Sequence, residues 1–141
     1  MVIADTGFWL ALADRKDGHH EAALRALDRL QEPLISTWPV VAETCHLLVR
    51  SLGVESQRLF LRSCLQGGFR IFDLEVSHVP RVLELMAKYR DLPMDLADAS
   101  LVILAEQLGH GRILSTDQRD FRAYRFKHTK PFKNLLLDPP A

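Results

Sequence analysis

Apolar residues along this chain follow two rhythms: short unbroken runs and longer stripes with helical spacing. Val2-Ile3-Ala4 opens the chain as a buried run and predicts a strand over Val2–Asp5. A short helix is expected over Gly7–Ala13 and a longer one over His19–Leu30, where Ala22, Ala23, Ala26, Leu27 and Leu30 share one face. Pro33 stops that helix, and Leu34–Thr37 reads as a second strand. Pro39 suits a helix start, and the helix runs to Leu52, before Gly53. Glu55–Leu65 reads as helix closed by Gly67-Gly68, and Phe69–Phe72 as a third strand. Helices follow over Val79–Tyr89 and from about Asp95 to Leu108, the second closed by Gly109. Arg112–Ser115 reads as a fourth strand, and Asn134–Leu137 as a candidate fifth.

Strands that alternate with helices predict an α/β fold: three layers, with helices on both faces of a mainly parallel sheet. Ligands in such sheets bind beyond the carboxyl ends of the strands. The chain has 141 residues with no repeat or linker, so one domain over residues 1–141 is expected. Apolar residues make up 48% and charged residues 26%, an ordinary globular balance. No apolar run approaches the ~20 residues of a membrane span. No secretory signal is read at Met1-Val2-Ile3-Ala4-Asp5, so the cytoplasm is the expected compartment.

Four acids change this bland picture because of where they fall. Asp5 ends the first apolar run, and Glu43 interrupts Val40-Val41-Ala42 and Leu47-Leu48-Val49. Asp98 lies between Ala97 and Ala99 on the most apolar helical segment, and Asp117 follows Ile113-Leu114-Ser115-Thr116. A carboxylate near a core is costly unless something positive neutralises it. Asp5 and Asp117 sit just past strand ends, while Glu43 and Asp98 sit early in helices, so all four are expected at one sheet edge. Oxygen-only ligands select hard cations, Mg2+ or Mn2+, rather than zinc. Such a site is able to activate a water and clamp a phosphodiester. Three of the acids also have an ordinary reading: Asp5 as a helix N-cap, Asp117 as the cap of a turn at Gln118–Phe121, and Asp98, like Asp95, as a complement to a helix dipole. Glu43 has no comparable excuse.

Charge and cysteines narrow the classes further. Net charge is zero, yet residues 112–141 hold seven basic and three acidic residues. A basic segment beside an acidic cluster is compatible with a nucleic-acid substrate, and equally with a solvated face. Cys45 and Cys64 form no CxxC pair, so they read as small buried hydrophobes.

The same residues carry a family resemblance. Val2-Ile3-Ala4-Asp5-Thr6-Gly7-Phe8-Trp9 resembles the opening of a PIN domain. Val41-Ala42-Glu43, Asp98-Ala99-Ser100-Leu101-Val102 with Ala105-Glu106, and Ile113-Leu114-Ser115-Thr116-Asp117 with Asp120-Phe121 resemble its later acidic motifs, in the right order. A stand-alone domain of this length resembles the VapC toxins of toxin–antitoxin pairs. The resemblance implies a PIN-like fold and a Mg2+- or Mn2+-dependent endoribonuclease with Asp5, Glu43, Asp98 and Asp117 as metal ligands. It implies an RNA substrate and a cognate antitoxin as partners. Thr116 matches a polar position beside the last acid, where a hydroxyl orients a ligand or water. Where the family often has Ser, this chain has Gly7, which leaves Thr6, or nothing, to supply the supporting hydroxyl. Asp95 stands one helical turn before Asp98 as a further acidic group, and Asp120 is either a further ligand or, the preferred reading, a residue that caps or pairs with Arg119 or Arg122.

Arg112, Arg119, Arg122 and Arg125 are candidate contacts for RNA phosphates, with Lys127, Lys130 and Lys133 beside them. Helix Glu55–Leu65 carries Leu59, Phe60, Leu61 and Leu65, more apolar surface than one core-facing stripe requires. That excess predicts a homodimer. By resemblance, the arm it forms with helix Pro39–Leu52 also docks the antitoxin. Two rival functions remain at this point: a phosphoryl-transfer or receiver-like domain with Asp5 as acceptor, and a catalytically inert PIN-like scaffold that binds RNA or protein. No Asp-x-Asp follows the first strand, which counts against the first. None of the four acids is lost, which counts against the second.

Overall fold

The computed structural model describes residues 1–138; residues 139–141, the tail of the expected single domain, lie outside the described residues. Five short parallel strands form the centre: β1 (Val2–Ala4), β2 (Leu34–Thr37), β3 (Arg70–Phe72), β4 (Arg112–Leu114) and, near the end, β7 (Lys133–Asn134). Their order across the sheet is β3-β2-β1-β4-β7. β1 and β2 are buried at every position, as strands covered on both faces by helices must be. That is why β1 reads as an unbroken apolar run, and why β2, Leu-Ile-Ser-Thr, carries no charge and no alternation.

The flanking helices are α1 (Thr6–Ala13), α2 (His20–Leu30), α3 (Trp38–Leu52), α4 (Val54–Leu65), α5 (Val79–Lys88), α6 (Leu96–Leu108) and α7 (Gln118–Ala123). A 3₁₀ turn, Val76–His78, leads into α5. A small antiparallel ladder, β5 (Arg125–Phe126) with β6 (Lys130–Pro131), follows α7. The expected α/β layering is therefore observed. Most boundaries move by one or two residues, in two cases because the predicted end is a cap: Asp5 caps α1, and Asp95 caps α6. The fifth strand, expected over Asn134–Leu137, is instead Lys133–Asn134, with Leu135–Leu137 in a turn. Helix α7 and the β5–β6 ladder carry no periodic signal and were absent from the sequence reading. They are too short to show a period.

Sheet order reverses between β1 and β4. The first three strands build outward on one side, and β4 and β7 on the other. Such a reversal opens a crevice at the carboxyl ends of the two central strands. Here the Asp5 N–H donates to the Leu114 carbonyl at 3.0 Å, which locks the two strand ends together. Thr37 closes β2 and caps α3, and its hydroxyl meets that of Ser100 on α6 at 2.6 Å. That contact fixes the helix carrying Glu43 against the helix carrying Asp98. No helix among the described residues is long and apolar enough to cross a membrane.

Helix α4 stands apart, with no fully buried residue. Phe60 is half-buried, its ring centroid 5.4 Å from Trp9 and 5.1 Å from Phe69. The sequence reading counted Phe60 as surplus apolar surface; the structure corrects this, because Trp9 and Phe69 leave an aromatic slot for it. Leu59, Leu61 and Leu65 do point outward, with Leu65 87% exposed.

Candidate active site

The crevice at the switch point is a cleft of about 370 Å3 whose walls include Asp5, Glu43, Asp95, Asp98, Asp117 and Asp120, with Thr6, Gly7 and Thr116 between them. The ordinary reading of the acids and the functional one turn out to be compatible. Asp5, Asp95 and Asp117 are all helix N-caps. The helices they cap start at this cleft, so capping is what brings the carboxylates there. The positive ends of those helix dipoles offset part of the repulsion among the acids.

Asp5 is the deepest of them, 8% exposed. Its Oδ1 accepts from the Thr6 N–H at 2.7 Å and its Oδ2 from the Ser115 hydroxyl at 2.9 Å. Burial raises its pKa to about 6 against the pull of those two donors, with the charges of Glu43 and Asp117 adding to the rise. Asp98 is raised further, to about 8, first by burial, then by the charges of Asp95 and Asp5. Asp95 and Asp98 form a reciprocal capping box: Asp95 Oδ1 accepts from the Asp98 N–H at 2.8 Å, and Asp98 Oδ2 from the Asp95 N–H at 3.4 Å. The sequence expected both on one helix face; instead Asp95 precedes the helix as its cap.

Glu43 stands at the cleft mouth on α3. Its carboxyl is raised by partial desolvation and by the charge of Asp95. The nearby Thr6 hydroxyl acts the other way, although Thr6 Oγ1 is buried with no hydrogen-bond partner among the described residues. Asp117 is raised by desolvation and by its contact with Asp120. Its Oδ1 accepts from the Asp120 N–H at 3.1 Å. Asp120 pairs with Arg119 at 3.2 Å, as expected, and also lines the cleft. The carboxylates face one volume, but among the described residues no three are drawn into a ready-made ligand cluster. Hydrogen bonds to caps and hydroxyls hold them apart.

Three residues of this site escaped the sequence reading. Ser115, placed there at the end of a strand, donates to Asp5 and accepts from the Asp117 N–H at 2.9 Å, tying two acids together. Asn134 holds Ser115 in turn, donating to its carbonyl at 2.8 Å and accepting from its N–H at 3.3 Å. Tyr124 donates to Asp98 Oδ2 at 3.3 Å. A polar Asn at the head of Leu135-Leu136-Leu137 was the one signal available for the second; Tyr124 gave none.

The four arginines do not behave alike. Arg119 and Arg122 are exposed on α7, just after Asp117. Arg112 is not brought to the cleft. It opens β4, at the opposite end of the strand, where both of its terminal nitrogens donate to Glu32 at 2.8 Å. Arg125 is turned onto the end of α7, donating to the carbonyls of Arg122 and Tyr124.

A family of proteins shares this arrangement. The chain belongs to the PIN domain family, whose pattern matches residues 2–127. Ribonuclease VapC26 of Mycobacterium tuberculosis is 29% identical over 124 residues, which cover 88% of this chain and 92% of that protein. The crystal structure of VapC20 from Mycobacterium tuberculosis, a sarcin-ricin loop cleaving toxin, superimposes with a TM-score of 0.82. The match covers 93% of this chain and 100% of that one at 21% identity, and it establishes the common fold.

Proposed function

We propose that this chain is a metal-dependent endoribonuclease, the toxin of a toxin–antitoxin pair, acting in the cytoplasm as one functional domain over residues 1–141. The observation that carries the reading is the convergence of Asp5, Glu43, Asp98 and Asp117 on one cleft at the sheet's switch point. Membership of the PIN family and the activity named for the VapC26 relative support it.

The cleft fits a hard divalent cation, Mg2+ or Mn2+, by its chemistry. Its donors are all oxygens. Asp5 and Asp98 are raised well above the ordinary carboxylate range, and no cationic side chain is among the main influences on either. Thr6 Oγ1 is a buried hydroxyl lacking a partner among the described residues. Asp5, Glu43, Asp98 and Asp117 are the residues to hold the metal. When bound, a divalent cation there lowers the pKa of a water and offsets charge building up on a phosphodiester.

The protein's own contribution is positioning. Ser115 fixes the orientation of Asp5, and Tyr124 and the Asp95 N–H fix that of Asp98. Asp95 and Asp120 add negative charge to the cleft, raising Glu43 and Asp98, and Asp117, respectively. Arg119 and Arg122 offer exposed guanidinium groups to RNA phosphates on the flank of the cleft. The contact of Arg122 with Asp138, at 3.5 Å between exposed side chains, is weak enough for a phosphate to displace. Arg112 is bound to Glu32 at the far end of β4 and Arg125 to the carbonyls at the end of α7, so neither is offered to RNA here. A homodimer and a cognate antitoxin complete the reading, both docking through α4.

The test is RNA cleavage by the purified protein with Mg2+ or Mn2+, with excess EDTA, and with Asp98→Asn. Cleavage is expected only for the parent with metal. Undiminished cleavage in EDTA or by Asp98→Asn would sink the mechanism.

A further inference from the structure

Gly7 lies in the first turn of α1, and its φ is not among the left-handed values found at Gly53, Gly67 and Gly109. Backbone conformation therefore does not require glycine there. Helix propensity opposes it, since glycine costs up to about 1 kcal/mol relative to alanine. Space does require it. A Cβ on residue 7 would fall 1.8 Å from Thr116 Oγ1, 2.9 Å from Thr116 Cβ and 3.2 Å from Thr116 Cγ2. Rotating the Thr116 side chain moves its hydroxyl and methyl groups together but leaves Thr116 Cβ at 2.9 Å. The Thr116 side chain thus occupies the place where a side chain on residue 7 would begin.

Both residues line the acidic cleft. The neighbouring hydroxyl of Ser115 is committed to Asp5 and to the Asp117 N–H. Thr116 is half-buried, and its hydroxyl is not seen to make a side-chain hydrogen bond among the described residues. The rest of the wall is dominated by carboxylates, which accept hydrogen bonds and repel a phosphodiester. A neutral donor is what an anionic substrate needs there.

We propose that Gly7 and Thr116 are a matched pair, in which the missing side chain at position 7 makes room for the Thr116 hydroxyl to donate a hydrogen bond to a phosphodiester oxygen of the substrate. The substrate half of this proposal rests on the ribonuclease reading; the pairing itself does not.

Two measurements test it. The first is the melting temperature of four proteins without metal or RNA: parent, Gly7→Ala, Thr116→Gly, and the double variant. Gly7→Ala is expected to lower Tm by at least ~4 °C in the parent. In the Thr116→Gly background it is expected to leave Tm unchanged or raise it, because alanine then enjoys its better helix propensity. The same Tm loss in both backgrounds, or none in the parent, refutes the pairing. The second is cleavage of an RNA oligonucleotide with Mg2+. Thr116→Val keeps the shape and removes the donor, and is expected to lower kcat/KM about tenfold, mainly through KM. Thr116→Ser is expected to stay within about threefold of the parent. Parent-like kinetics for Thr116→Val overturn the role of the hydroxyl. A parent that cleaves no RNA with any divalent metal removes the ribonuclease reading and the substrate contact with it, while the melting series still decides the pairing.

Discussion

The Tyr124 hydroxyl and the Asp95 N–H converge on the same atom, Asp98 Oδ2, at 3.3 and 3.4 Å. The other oxygen of Asp98 is left to the cleft. Tyr124 is fully buried, its ring edge-on to Phe121 and Tyr89. Burial and the charge of Asp98 push its ionisation up, so it remains a hydrogen-bond donor at any ordinary pH. On the proposed metal-site reading, Tyr124 is therefore a positioning residue: it aims a carboxylate proposed to hold the metal.

Tyr124→Phe keeps the aromatic packing and deletes only the donor. Outer-shell partners of metal ligands are typically worth 10- to 100-fold in metal affinity or activity. The expected result is roughly tenfold weaker Mn2+ binding by calorimetry, with Tm within a few degrees of the parent. Unchanged metal affinity would leave Tyr124 as core packing alone.

Stability of the metal-free protein is expected to fall as pH rises. Asp5 moves from 3.8 to about 6 on folding, and Asp98 from 3.8 to about 8. Both therefore hold a proton more tightly in the folded state than in the unfolded chain. Stability drops wherever the folded state binds more protons, which here means from about pH 4 upward, through the folded values. For buried Asp5 alone the rise corresponds to roughly 3 kcal/mol once pH exceeds about 6. Thermal melts from pH 5 to pH 8 in EDTA should show a falling Tm. Asp5→Asn should flatten the lower part of that fall and raise Tm at pH 8. A Tm that climbs steadily over this range would contradict the assignment.

The sheet was legible because strands buried on both faces leave short uncharged runs without polar–apolar alternation, all apolar in Val2-Ile3-Ala4 and ending on two small hydroxyl residues in Leu34–Thr37. The acids were legible because a Glu or Asp within such runs is conspicuous. What supports the acids was not. Ser115, Asn134 and Tyr124 act through contacts between residues far apart in sequence, such as Ser115 with Asp5 and Tyr124 with Asp98, and no local pattern reports these. Arg112 misled for a related reason: its charge was visible, but its Glu32 partner, 80 residues away, was not.

Glu106, which the family pattern places beside the third acid, is expected to be structural. Its carboxylate accepts two hydrogen bonds from Arg81, at 3.0 and 2.8 Å, and a third from the Lys127 N–H at the start of the β5–β6 turn. These pull its pKa down against partial burial. Glu106→Ala leaves the mostly covered Arg81 guanidinium with Glu84 as its one acidic partner among the described residues, at a cost of about 2 kcal/mol. Denaturant melts should register that loss while the Mg2+ concentration needed for half-maximal cleavage stays put. A changed metal requirement would instead place Glu106 in the active site.

Assembly should depend on the outward residues of α4 rather than on Phe60. A groove of about 320 Å3 runs between α1, α3 and α4, with Trp9, Leu48, Leu52, Leu59 and Phe60 in its walls. Next to it Leu59 is 56% exposed. A monomer that leaves an apolar groove and a row of leucines uncovered carries the signature of an interface. Because Phe60 stacks on Phe69 within the same chain, Phe60→Asp would damage the fold and the interface together. Leu59→Asp separates them, since solvating an exposed leucine changes stability by no more than about 0.5 kcal/mol. Light scattering of the parent is expected to give twice the 16.1 kDa chain mass. Leu59→Asp is expected to give a single, still folded chain mass, with Tm lower only by the loss of dimerisation, and to lose co-purification with the product of the upstream gene. A monomeric parent at high concentration would refute the dimer. Dimer and complex both surviving Leu59→Asp would move the docking surface off α4.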